Sequence, residues 1–186
     1  MNRCALLAAC LAVSVSSPAQ AFDTPDAAEA RVRDCLTAAA AAHLLPPAIL
    51  VILLKVEGGR LGHVSRNTNG TVDIGPMQVN TTWVPRIAAH WRTTPAAAYA
   101  ALRDDLCANL EGGAWILRQA VDEARGDFWG GVGIYHSHNP GYSTRYLRQV
   151  LAAGLLLQVQ AERLPVPVAS LQAAPPAAPA HLASRN

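Results

Sequence analysis

Glu57, Asp73, Gln78 and Asn80 are the residues whose types and spacing could do chemistry. Glu57 ends the run from Ile49 to Val56, which is apolar except for Lys55. A carboxyl group partly withdrawn from water loses solvation when it ionises, so its pKa rises. Still protonated near neutral pH, it can serve as a general acid. Asp73 follows 16 positions later and offers a second carboxylate. Paired carboxylates cleave glycosidic bonds: one protonates the leaving oxygen, and the other attacks or steadies the anomeric carbon. Gln78 and Asn80 carry amides, each both donor and acceptor. In an extended segment, alternate residues point the same way, which would suit the hydroxyl and N-acetyl groups of a sugar. Each residue also has a plainer role open to it. Glu57 could close a helix and pair with Lys55 or Arg60, Asp73 could cap a turn, and Asn80 could N-cap the helix that follows.

The elements that must position these groups can be read from caps and breakers. Thr24-Pro25-Asp26 has the form of a helix start, with the hydroxyl as N-cap and Pro in the first turn. That helix is predicted to run to about His43, with Ala38 to Ala42 small enough for close packing. Pro47 to Val56 reads as a short helix buried on all sides. Gly58-Gly59 ends it, because glycine accepts the left-handed conformation of a C-cap. Glu57 then sits at the mouth of a buried helix. Leu61 to Asn80 has no helical period, and Asn69-Gly70 is a hairpin turn signal. Thr71 to Ile74 can form a short strand, so a small irregular β-hairpin is expected as the only sheet. Helices are predicted again over Trp83 to Trp91, from Thr94-Pro95 onward, and from Asp104 or Asp105 to Glu123. The last two are Phe128 to Tyr135 and Ser143 to Arg163, divided near Asn139-Pro140-Gly141. The fold class expected is mainly α.

The string Asn67-Thr68-Asn69-Gly70-Thr71-Val72-Asp73-Ile74-Gly75-Pro76-Met77-Gln78-Val79-Asn80 makes a resemblance specific. It is similar to the cleft hairpin of the lysozyme-like superfamily, in which Gly-x-Met-Gln-x-Asn follows a catalytic Glu. The chain resembles most the small lytic transglycosylases that accompany secretion, pilus and conjugation machines, over roughly Cys35 to Leu147. Gly131 to Ser137 looks like the family's late Tyr-Asn motif, with His136 in place of Asn. Gly58 stands where Ser is common, and Pro76 replaces an aliphatic residue. The resemblance implies a lysozyme-like fold and cleavage of peptidoglycan between MurNAc and GlcNAc. It implies Glu57 as the catalytic residue, with Asp73, Met77, Gln78, Asn80 and Tyr135 binding substrate. Tyr135 would hydrogen-bond Glu57 or the sugar. One Glu suffices for a transglycosylase, which closes an anhydro-muramic ring without water. Asp73 keeps a lysozyme-type retaining hydrolase open, and a non-catalytic peptidoglycan-binding assembly factor is the reading from another class. The partners implied are glycan strands and components of such an envelope machine; no cofactor is implied.

Composition sets the compartment. The chain has 186 residues, 51% of them hydrophobic, and a formal net charge of +2. That charge is too small to point to nucleic acid. Residues 1–21 read as a secretory signal: Arg3, an apolar stretch from Cys4 to Val15, and the small-residue site Ala19-Gln20-Ala21. Cleavage leaves a mature protein in the periplasm or secreted, with no membrane-spanning segment expected in it. It also leaves Cys35 and Cys107, most simply a disulfide in an exported chain. His136 and His138 are not read as metal ligands, since no nearby carboxylate or cysteine completes a set. Residues 22–164 are read as the one domain. Residues 165–186, rich in Pro and Ala, lack bulky apolar groups and are read as a disordered tail.

Overall fold

The structure is a computed structural model that describes residues 24–163. The expected signal segment and the expected tail lie outside the described residues. Helix α1 (Pro25–Ala42) starts where its cap predicts, with the Thr24 hydroxyl accepting from the Ala27 N–H. Helix α2 (Pro47–Glu57) follows. Three short strands come next: β1 (Val64–Arg66), β2 (Val72–Ile74) and β3 (Val79–Asn80). A 3-10 turn (Thr81–Trp83) leads into α3 (Val84–His90), α4 (Pro95–Asp104), α5 (Leu106–Glu123), α6 (Phe128–His136) and α7 (Pro140–Arg163). The protein is mainly helical, with one small antiparallel sheet among the described residues.

The sheet is larger than the expected hairpin. The Asn69-Gly70 turn joins β1 to β2 in register Val64↔Ile74, and β3 then pairs with the other edge of β2, Asp73 opposite Asn80. A two-residue strand carries no sequence period, so β3 could not be read in advance. Asp73 is therefore a mid-strand residue and not a turn cap.

Helix α5 is the axis of the fold. Its Leu110, Gly112, Gly113, Ala114, Ile116 and Leu117 are all buried, and α1, α4 and α6 pack around it. Small residues on this helix admit close neighbours: a Cβ on Gly113 would press against the side chain of Met77. Helix α2 is not buried on all sides, contrary to the expectation from its almost wholly apolar sequence. Ile49, Leu50 and Leu53 face the core, while Val51 is exposed. The cover on its other flank comes from α7, where Gly154 lets Ile52 approach. Helix α7 begins at Pro140, three residues earlier than expected, because Pro suits a first turn.

Cys35 on α1 and Cys107 on α5 form the expected disulfide, with Cα atoms 4.9 Å apart. It spans 72 positions, so in the chain-entropy view it stabilises by about 4 kcal/mol. Replacing both cysteines with serine is expected to lower the unfolding free energy by that amount in urea melts. The unreduced chain 22–186 should show no alkylatable thiol by mass spectrometry.

Candidate active site

Glu57 is the last residue of α2, and the chain leaves the helix immediately after it. Gly58 takes φ +62° as the left-handed cap, its N–H bonding the Leu54 carbonyl. Gly59 then passes so near the next loop that a Cβ there would collide with the Gly75 carbonyl and the Gln78 amide. The two glycines thus do separate work: one turns the chain, and the other lets it lie against the loop that faces Glu57.

That loop, Gly75 to Gln78, is held from below by Asn109, the one buried polar residue among the described residues. The Asn109 Oδ1 accepts from the Met77 N–H at 2.7 Å. Its Nδ2 donates to the carbonyls of Ile74 (2.9 Å) and Leu102 (2.8 Å). Above, Gln78 adopts φ +48°, and both its backbone N–H and its Nε2 donate to the Gly75 carbonyl. Gln78 is therefore not in extended backbone, and the expected alternation with Asn80 does not apply. Both residues nonetheless line the same cleft.

Met77 does not reach that cleft. Its side chain is fully buried against α5, so the expected substrate contact is replaced by a packing role. Only its backbone serves the site, through the Asn109 bond and through its carbonyl, which accepts from the Tyr135 hydroxyl at 3.0 Å. Tyr135 lines the cleft, yet its hydroxyl is committed to Met77 and not to Glu57.

The partner of Glu57 is Tyr146, from α7, which the sequence reading missed. Its hydroxyl donates to Glu57 Oε1 at 2.5 Å, displacing the Lys55 or Arg60 pairing considered above. Tyr146 is buried, as is Val150 one turn later. An aromatic hydroxyl on the apolar stripe of a helix is the signal that could have found it. The ring of His136 stacks on that of Tyr146, with centroids 4.5 Å apart and planes 3° from parallel. His138, two positions on, bonds Glu123.

Asp73 sits across the cleft in a cage of amides. Asn67 Nδ2 donates to its Oδ2 at 2.9 Å, and Asn80 Nδ2 donates to its Oδ1 at 2.7 Å. Asn80 also accepts from the Thr82 N–H, so it caps the 3-10 turn and holds Asp73 at once. The cleft has a volume of about 380 Å³, with Glu57, Asp73, Gln78, Asn80, Trp83, Tyr135 and His136 in its walls.

The electrostatics follow from burial. Removal from water raises the Glu57 pKa to about 7; the Tyr146 hydrogen bond pulls it down, and the Asp73 charge adds a smaller upward push. Desolvation wins because one hydrogen bond replaces only part of a carboxylate's hydration. Burial also raises the Tyr146 and Tyr135 hydroxyls, next helped by the Glu57 charge, so both remain donors. Burial lowers His136, with Asp73 opposing. At neutral pH the site therefore offers a half-protonated carboxyl, a phenol that holds one of its oxygens, and a caged second carboxyl facing the same space. The arrangement can deliver a proton to an oxygen in the cleft and take one back.

A comparison of the chain with protein-family models and with curated proteins finds no significant match to either.

Two outcomes test this geometry. Asn109→Ala leaves the Met77 N–H and two carbonyls without partners, so a loss of about 3 kcal/mol or more is expected in urea melts. Glu57 has a folded pKa near 7 against 4.5 unfolded. Its contribution is complete below the unfolded value and lost as pH rises through 7, leaving the ionised protein about 3 kcal/mol less stable. Glu57→Gln cannot ionise. It should melt higher than wild type above about pH 8 and show no such advantage near pH 4.5, by thermal unfolding at both.

Proposed function

We propose that the protein is an exported peptidoglycan lytic transglycosylase of lysozyme-like fold, with Glu57 as its acid and base. The observation that carries this reading is a carboxyl at the end of an apolar helix, titrating near 7 and held by a buried phenol. It opens on a cleft walled by amides and aromatic rings. Such a carboxyl matches the requirement of a general acid at neutral pH. Glu57 would protonate the oxygen that joins MurNAc to GlcNAc as the bond from that oxygen to the anomeric carbon breaks. The resulting carboxylate would then take the proton from the sugar's own hydroxymethyl oxygen, which closes on the anomeric carbon. The attacking group is already on the substrate, at high effective concentration. Tyr146 fixes which carboxyl oxygen carries the mobile proton, and Gln78 and Asn80 face the hydroxyl and N-acetyl groups.

The motif resemblance supports this route and a site of action in the periplasm or outside the cell. It also supports local wall remodelling around a secretion, pilus or conjugation apparatus. One observation favours a second reading, a retaining hydrolase. The amide cage around Asp73 is the kind of polar setting a second carboxylate requires beside a protonated one.

Glu57→Gln decides whether the site is catalytic. Cell-wall clearing should fall by at least about a thousandfold, the scale of a lost general acid, in a protein that still folds. In the wild type, kcat/KM should decline tenfold per pH unit above about 7 as the acid is lost. Mass spectrometry of the released glycans decides the route. Anhydro-muramic ends with an active Asp73→Ala enzyme support the transglycosylase. Hydrated reducing ends with a dead Asp73→Ala enzyme replace it by the hydrolase. Full activity in Glu57→Gln would leave neither standing.

A further inference from the structure

On α5, three side chains from three helices converge on one point. Glu111 extends from α5, His43 from the C-terminal end of α1, and His90 from the last turn of α3. Both imidazoles present Nε2 to the same carboxylate oxygen: His43 Nε2 lies 2.8 Å from Glu111 Oε1, and His90 Nε2 lies 3.1 Å from it. One donor atom from each of the three residues lies within 4.8 Å of the other two. We propose that His43, His90 and Glu111 form a binding site for a divalent transition metal ion, with zinc the ion whose geometry it fits best.

The donor set is the first reason. Two imidazole nitrogens and one carboxylate oxygen are a set that zinc takes readily, with water as the fourth ligand. Zinc holds nitrogen and oxygen donors at about 2.0–2.1 Å, so neighbouring donors in a tetrahedron stand about 3.3 Å apart. The two observed histidine–carboxylate separations fall a few tenths of an ångström short of this spacing, and one donor atom of each histidine lies within 4.8 Å of the other's.

The second reason is that the donors are already oriented by groups outside the set. Trp91 donates its indole N–H to Glu111 Oε2 at 2.5 Å. This leaves Oε1 as the single oxygen that faces both histidines. The His90 ring is stacked on Trp115, with centroids 4.9 Å apart and planes 17° from parallel. Outer groups that fix a ligand's rotation are a regular feature of metal centres. The third reason is access. The His43 side chain is 10% exposed and that of His90 is 35% exposed, so the cluster is seated in the protein but open on one side to an ion and a water.

A metal here would bind α1 and α3 to the central helix and add a second clamp between α1 and α5 beside the disulfide. The residues stand 47 and 21 positions apart in sequence, far from any metal-binding motif spacing. Only the fold brings them together. The site is separate from the cleft and does not rest on the reading of Glu57.

The test uses chain 22–186 without a histidine tag, titrated calorimetrically with zinc chloride. One ion per chain, bound at low-micromolar affinity or tighter, is expected, with a rise in Tm of several degrees because the ion binds the folded state. His90→Ala should weaken binding at least about 100-fold, since even outer-shell changes cost 10–100-fold. Glu111→Gln, which preserves shape and keeps a partner for Trp91, should do the same, with folding of both variants checked by circular dichroism. His138→Ala, at an exposed histidine outside the cluster, should bind as wild type does. Cobalt(II) should give the intense visible bands of a tetrahedral site, and these should vanish in Glu111→Gln. Absence of zinc binding, or binding that survives unchanged in both cluster variants, would overturn the proposal.

Discussion

The side chain of Asn109 is the contact on which the cleft depends. A buried amide with no partner would be costly, and here oxygen and nitrogen are both used. Its three bonds fasten the end of β2, the loop that follows and the end of α4 to one point on α5. Everything above inherits that position. Met77 is pinned by its N–H, so its carbonyl can receive Tyr135; Gly75 is pinned beside it, so its carbonyl can receive Gln78. A Cβ at Gly75 would collide with Asn109 itself. The glycine and the asparagine therefore require one another, although 34 positions separate them.

The chemistry at Glu57 arises from a conflict left deliberately unbalanced by the fold. An apolar helix carries the carboxyl out of water, and one phenol compensates in part. A more generous set of donors would return the group to the ordinary carboxylate range, where it would be ionised at neutral pH. A drier setting would hold the proton too tightly to give up. Across the same cleft, Asp73 has an amide donor on each of its oxygens.

Legibility followed the distance over which each interaction acts. Helix starts at Thr24-Pro25 and Thr94-Pro95 were readable, since cap and proline act within one turn. So were the Gly58 cap, the Asn69-Gly70 turn and the pairing of Cys35 with Cys107. Glu57, Asp73, Gln78 and Asn80 could be singled out by type and spacing, and they do meet in one cleft. What escaped was set by contacts between distant segments. The burial of Met77 depends on Gly113, the orientation of Tyr135 on the Met77 carbonyl, and the partner of Glu57 on a helix 89 positions away. The almost wholly apolar α2 misled in the other direction, because its composition could not tell which flank α7 would cover and which it would leave to solvent.

The disulfide divides the cleft by order of synthesis. Glu57, the sheet and the amides lie inside the covalent ring from Cys35 to Cys107; Tyr135, His136 and Tyr146 all lie beyond it. The segment that the ring encloses is complete in sequence before either tyrosine is added. Without them Glu57 has neither its phenol nor the cover of α7, and the burial that raises its pKa is incomplete. The perturbed acid is thus a property of the finished chain, assembled when the final helix docks. A nascent or prematurely terminated product would carry the whole motif from Glu57 to Asn80 and still lack the environment that makes it reactive.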